Sequence, residues 1–243
     1  ETNQIRSHWE ANTATDPGPT VFFLIRPTRF EERRWPDANS LEELLQTRQR
    51  VDFHGRHHYP PSTVETDVMP WGLYNQAYGS PAWALTYSGL FWAAIRIGSG
   101  VDYTRSTADH SLTQRRYEQE PIVPAGKWIN FPYARVDVAN PFKFAGSFAG
   151  AFHPKEQLYW SATADGLGGT ILAANSPSFW MEGCRRCASP GAISKGLATA
   201  DEFSSDWNSA CLDFLQEMFG MYDIRGERIG RDPLKKWLDS LVA

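Results

Sequence analysis

Residues 83–97 constrain the fold of this chain more than any other stretch. The run Trp83-Ala-Leu-Thr-Tyr-Ser-Gly-Leu-Phe-Trp92, continued to Ile97, is dominated by aromatic and β-branched residues. Such residues fit a pleated, half-buried surface. The run predicts β structure, with Ser88-Gly89 marking a bulge or a turn. Thr20-Val-Phe-Phe-Leu-Ile25 is continuously apolar and follows Pro17-Gly-Pro19, which suits a buried strand. In Gln157–Ala164, Leu158, Trp160, Ala162 and Ala164 alternate with their neighbours, the pattern of a strand with one face covered. Ile129–Val138 and Thr170–Ala174 read as further strands, and Asp165-Gly-Leu-Gly-Gly169 as a hairpin turn.

Helical signals stand between these runs. Glu1–Glu10 reads as the continuation of a helix. Ser40-Leu-Glu-Glu43 has the form of a capping box and predicts a helix from Leu41 to about Arg50, burying Leu41, Leu44 and Leu45. Thr199-Ala-Asp-Glu202 is a second capping box. After it Phe203, Trp207, Ala210, Cys211, Phe214, Met218 and Tyr222 share one helical face. Asp232-Pro233 reads as N-cap and first helical residue of a last helix that buries Leu234, Trp237, Leu238 and Leu241. No linker or repeat divides the chain. The expectation is a single α+β module over 1–243, with a mixed, largely antiparallel sheet and flanking helices, forming part of a longer multidomain chain.

Charge and composition narrow the function classes. A net charge of −4 and a pI near 5.9 do not favour nucleic acid as a partner. The sequence has no apolar run of the length a membrane span needs and no visible signal sequence, so a cytoplasmic protein without a membrane partner is expected. The ten Trp, nine Tyr and fourteen Phe supply either a bulky core or a recognition surface. Three cysteines are too few to staple a chain of this size. Cys184 and Cys187, with Arg185 and Arg186 between them, read as loop residues: incidental thiols, half a metal site, a redox pair, or, in a secreted binding protein, a local disulfide. Cys211, on the helical face, reads as a buried, inert thiol.

The densest chemistry lies in Arg50-Val-Asp-Phe-His-Gly-Arg-His-His-Tyr-Pro-Pro61. One use of His54, His57 and His58 is a metal-dependent hydrolase, with Asp52, Glu65 or Asp67 as carboxylate neighbours; no His-Glu-x-x-His pattern supports it. The other is recognition. On that reading Arg56, His57, His58 and Tyr59 line a ligand-binding site beside Trp83 and Tyr87. Arg56 pairs with an acidic or phosphate group, the aromatic rings stack, and the histidines donate hydrogen bonds. No catalytic residue and no cofactor is assigned.

Trp9, Leu24-Ile-Arg-Pro-Thr-Arg-Phe30, Val51 with Gly55-Arg56 and Tyr59-Pro60, and Trp83-Ala-Leu-Thr-Tyr-Ser-Gly-Leu-Phe91 occur in this order. The arrangement resembles the region that follows Schlafen-type, AlbA-like domains in bacterial helix-turn-helix or ATP-binding proteins. Its loop departs from that pattern in reading Gly55-Arg56-His57-His58-Tyr59-Pro60. The resemblance implies a non-catalytic recognition, sensor or assembly module of a multidomain bacterial protein, with a role in antiviral defence. Its partners would be a covalently linked or associated effector domain and, as a further possibility, a second copy of itself.

Overall fold

The structure, a computed structural model, describes residues 1–13, 18–48, 50–51, 58–60, 66–76, 81–98, 127–173, 185–187, 189–222 and 231–242. In chain order its elements are α1 (Thr2–Ala11), β1 (Thr20–Pro27), α2 (Ala38–Arg48), β2 (Arg50–Val51), β3 (His58–Tyr59), β4 (Asp67–Met69), β5 (Gly72–Asn75), β6 (Ala82–Thr86), β7 (Phe91–Arg96) and β8 (Trp128–Asn130). There follow α3 (Phe131–Ala149), β9 (Gln157–Asp165), β10 (Ile171–Ala173), β11 (Arg185–Arg186), β12 (Gly191–Thr199), α4 (Ala200–Phe219) and α5 (Arg231–Val242). The fold is α+β.

A seven-stranded sheet in the order β12-β9-β1-β7-β6-β5-β4 organises the molecule. Every neighbouring pair in it is antiparallel. β4 to β7 form a meander, and β1 joins that meander to the β9–β12 pair. A smaller sheet, β11-β10-β8, mixes an antiparallel with a parallel pair.

The two faces of the large sheet are covered unequally. One meets α2, α3, α4 and α5 in a continuous core that includes Val21, Phe23, Ile25, Phe91, Leu158, Trp160 and Ala162. Aromatic rings knit this layer: Phe142 of α3 lies 4.6 Å from Phe23, and Phe144 lies 4.6 Å from Phe91. Helices α3 and α4 approach closely at Gly146, where a Cβ would come within 2.4 Å of the Trp207 ring. Glycine here lets the indole lie against the α3 backbone. The other face carries a smaller cluster, with Ile5 and Trp9 of α1 packed on Tyr74, Ala82, Ala84, Trp92 and Ala94.

Several local signals act as the sequence predicts. Thr199 caps α4 reciprocally with Glu202: Thr199 Oγ1 accepts from the Glu202 amide at 3.2 Å, and Glu202 Oε2 accepts from the Thr199 amide at 2.7 Å. Residues 83–97 form two strands joined at Tyr87–Leu90, where Gly89 has φ +94°. The turn at 166–169 uses Gly166 and Gly169 at φ +76° and +74°, but it is not the expected hairpin: β9 and β10 lie in different sheets, β9 pairing with β1 and β12 and β10 with β8 and β11.

Four further expectations are corrected. Ile129–Val138 is not a strand: β8 stops at Asn130 and α3 begins at Phe131 with Pro132 in its first turn. Helix α3 is buried around most of its circumference, so its sequence lacks the polar stripe that announces a surface helix. Helix α2 begins at Ala38, not Leu41. Asp37 supplies the cap, its Oδ1 accepting from the Ser40 amide and hydroxyl at 2.8 Å each. Helix α5 begins at Arg231, so Asp232 and Pro233 already lie within its first turn. Finally, Arg185–Arg186 is a short strand paired with β10, and Cys187 extends it by bridging to Tyr222. Backbone hydrogen bonds hold this stretch where a loop was expected: Cys187 donates to Thr170 at 2.9 Å and accepts from Gly169 at 3.0 Å.

Candidate functional site

The sequence points first to Arg56, His57, His58, Tyr59, Trp83 and Tyr87. Arg56 and His57, with His54, lie outside the described residues. His58 is placed by its backbone, which pairs with Val51 in a two-stranded ladder. Tyr59 points inward, 5% exposed, with its ring edge-on to Phe144 at 6.5 Å. Burial, then the nearby Asp137 carboxylate, pushes its phenol well above the usual range, so it stays protonated. Trp83 is fully buried in the same core. The structure therefore gathers Tyr59 and Trp83 in the interior.

Tyr87 lies at a junction. Its carbonyl accepts from the Arg34 and Trp35 amides at 2.9 and 3.1 Å, and its own amide donates to Trp71 at 3.1 Å. The ring is half-buried, with the Arg33 guanidinium 5.8 Å from its centre. Arg34 reaches past it to Glu156 in a bidentate pair, Nη2 to Oε1 at 2.6 Å and Nη1 to Oε2 at 2.9 Å. Its guanidinium also faces Phe152 at 5.3 Å. Next in the turn, the Ser88 hydroxyl donates to Glu1, and the Thr86 hydroxyl accepts from the Leu90 amide at 3.0 Å. The Tyr-Ser-Gly turn thus pins three segments: the loop after β1, the α3–β9 connection and the start of α1. Most of the polar groups here bond one another, while Arg34 Nε is buried without a hydrogen-bond partner among the described residues.

Other buried polar groups are paired too, while Tyr59 Oη, Asn130 Oδ1 and Ser147 Oγ are buried without a hydrogen-bond partner among the described residues. Thr170 and Tyr222 share a hydroxyl–hydroxyl bond of 2.8 Å beside Cys187, and burial pushes both the Tyr222 phenol and the Cys187 thiol up. Cys211 is fully buried, and burial raises its thiol too. Arg135 is sandwiched by rings, its guanidinium 4.4 Å from Trp237 and 5.2 Å from Phe131; burial pushes its pKa down to about 10. No group of three or more His, Cys, Asp or Glu converges to hold a metal ion among the described residues.

A different surface emerges at the opposite edge of the sheet. β12 places Ala192, Ser194, Gly196 and Ala198 opposite Ala164, Ala162, Trp160 and Leu158, on the helix-covered face. Gly196 is required there, because a Cβ would stand 2.7 Å from Trp160 Nε1. Ile193, Lys195 and Leu197 therefore turn to the other face, where Ile193 is 59% and Leu197 67% exposed. Across the strands they register with Thr163, Ser161 and Tyr159, and these with Phe22, Leu24 and Arg26 of β1. Arg26 lies 5.5 Å over the Tyr159 ring. The sequence reading did not single out β12. Its signal was present but inverted, with small residues on the buried side and large apolar ones on the exposed side.

Among the described residues, no helix is long and apolar enough to cross a membrane. Comparison with family models, with curated proteins and with solved structures gives no match to this chain.

Proposed function

We propose that this chain is a non-catalytic recognition or assembly module of a multidomain bacterial protein. One observation carries the reading: two large apolar side chains, Ile193 and Leu197, stand exposed on one strand beside Tyr159, while the polar clusters at Tyr87 and Tyr222 are consumed in holding elements together. Two large apolar side chains exposed on one strand face, with Lys195 between them, suit an interaction surface better than chemistry. A defence role and a linked effector domain rest on the Schlafen-type resemblance of residues 9–91.

The test is the native particle. The chain is followed by antibody in extracts of the cells that make it, and the particle is sized and its components identified. A particle carrying a second domain on the same chain, or a second polypeptide that is lost when Ile193 and Leu197 are both changed to Asp, is the expected result. A lone 27.4 kDa species would end the proposal.

A further inference from the structure

We infer that the part of the sheet over β9 and β12, which no described element covers, is the seat of an acidic amphipathic helix supplied by a partner; the inference rests on the module reading above. The seven strands span roughly 29 Å at about 4.8 Å per strand. A helix with its side chains is about 10 Å wide and covers two to three of them. On this face α1 sets Trp9 against Phe22 of β1 and Trp92 of β7, and His8 against Tyr74 of β5. What remains, over β9 and β12, is about one helix wide. Its floor is Tyr159, Ser161, Thr163, Ile193, Lys195 and Leu197, bordered by Leu24 beneath α1.

The occupant follows from backbone and charge. An extended segment laid flat on this floor would leave its own amides without ladder partners, whereas a helix satisfies them internally. Addition of a strand to the free edge of β12 is opposed by Lys195 at its middle, a usual guard against edge pairing. The charge on the floor is basic. Lys195 and Arg26 make no ion pair among the described residues. Asp165, the acidic residue that these three strands contain, is held by Arg6 at 3.4 Å. A helix with apolar residues at three- and four-residue spacing and carboxylates along its borders matches this pattern.

The probe is a fluorescent, hydrocarbon-stapled peptide of about 18 residues with leucines on one face and glutamates on both borders. A second peptide has lysines in place of the glutamates. Binding to the whole chain is read by anisotropy. The glutamate peptide is expected to bind, to weaken at least tenfold with Leu197→Asp, and to outcompete the lysine peptide. The Arg26→Glu/Lys195→Glu variant is expected to reverse that preference. Leu197→Ser serves as second variant should Leu197→Asp shift the unfolding midpoint. Absence of binding up to about 1 mM, equal binding of the two peptides, or binding indifferent to Leu197→Asp overturns the helix. Self-association of the chain that Leu197→Asp abolishes would give the face to a second copy, and also overturns it. A native particle that the Ile193→Asp/Leu197→Asp variant still breaks, with no peptide bound, would remove the helix and leave the module reading. A peptide bound as expected to a chain that occurs alone would do the reverse.

Discussion

Glu156→Ala is the most informative single perturbation of the scaffold. The Arg34–Glu156 pair is bidentate, and its side chains are 16% and 15% exposed. Exposed pairs contribute about 0.2–1 kcal/mol. Removing one partner of a buried pair costs about 3–5 kcal/mol, because the other charge is left uncompensated. This pair lies nearer the buried limit, but Arg34 would keep two consolations: Glu31 at 3.4 Å, which is more exposed, and the Phe152 ring. The expected loss is therefore about 2–3 kcal/mol, or about 4–12 °C in Tm for a chain of this size. Urea unfolding gives the value from the midpoint, provided the m-value is unchanged. A double-mutant cycle with Arg34→Ala isolates the pair, and Glu31→Ala should cost far less. The apolar replacement Arg34→Met/Glu156→Leu should recover most of the loss. A loss below about 0.5 kcal/mol would place the pair among ordinary surface bridges and refute the reasoning.

Three further outcomes are expected. Gly146→Ala should destabilise by about 1–3 kcal/mol, since its methyl group would enter the Trp207 ring; a midpoint unchanged from wild type would show that α3 and α4 separate freely. The carboxyls of Glu202 and Asp37 are held below their usual range, chiefly by the Thr199 and Ser40 amides they accept from. Their stabilisation is therefore present above the unfolded carboxyl pKa near 4 and lost as pH falls through the lower folded values. Glu202→Gln and Asp37→Asn should flatten the pH dependence of the urea midpoint below about pH 4, and parallel curves would contradict this. Finally, Cys187 and Cys211 should resist a thiol reagent in the native protein and react on unfolding; rapid native labelling of Cys211 would show that the α4 core opens locally.

Legibility in the sequence followed how locally each feature is encoded and how evenly it is buried. The Thr199 cap was legible because its reciprocal bonds join residues three apart. β9 was legible because helices cover one of its faces and leave the other half-exposed, which makes the alternation visible. α3 was not, because the sheet, α4 and α5 enclose it and erase any polar stripe. Ser40 misled because the same helix start holds a better acceptor three residues earlier, in Asp37. The site reading met a related limit: Trp83 and Tyr59 look alike as recognition residues or as core, and only tertiary burial separates the two. β12 escaped because Trp160 needs room. The buried positions had to be small, so the conspicuous residues were the exposed ones.

β1 pairs on both sides with strands synthesised long after it: Phe23 faces Ala93 on one edge and Ala162 on the other. A growing chain completes β7 at residue 96 but has no β9 until residue 165. At about 5–20 residues per second, β1 waits several seconds with an open backbone edge. During that time Thr20–Pro27, with the apolar run Val21–Ile25 at its centre, presents an adhesive edge. The β1–β9 seam that closes only after this wait lies inside the finished sheet, and slow translation between residues 96 and 165 should drive more of this chain into aggregates.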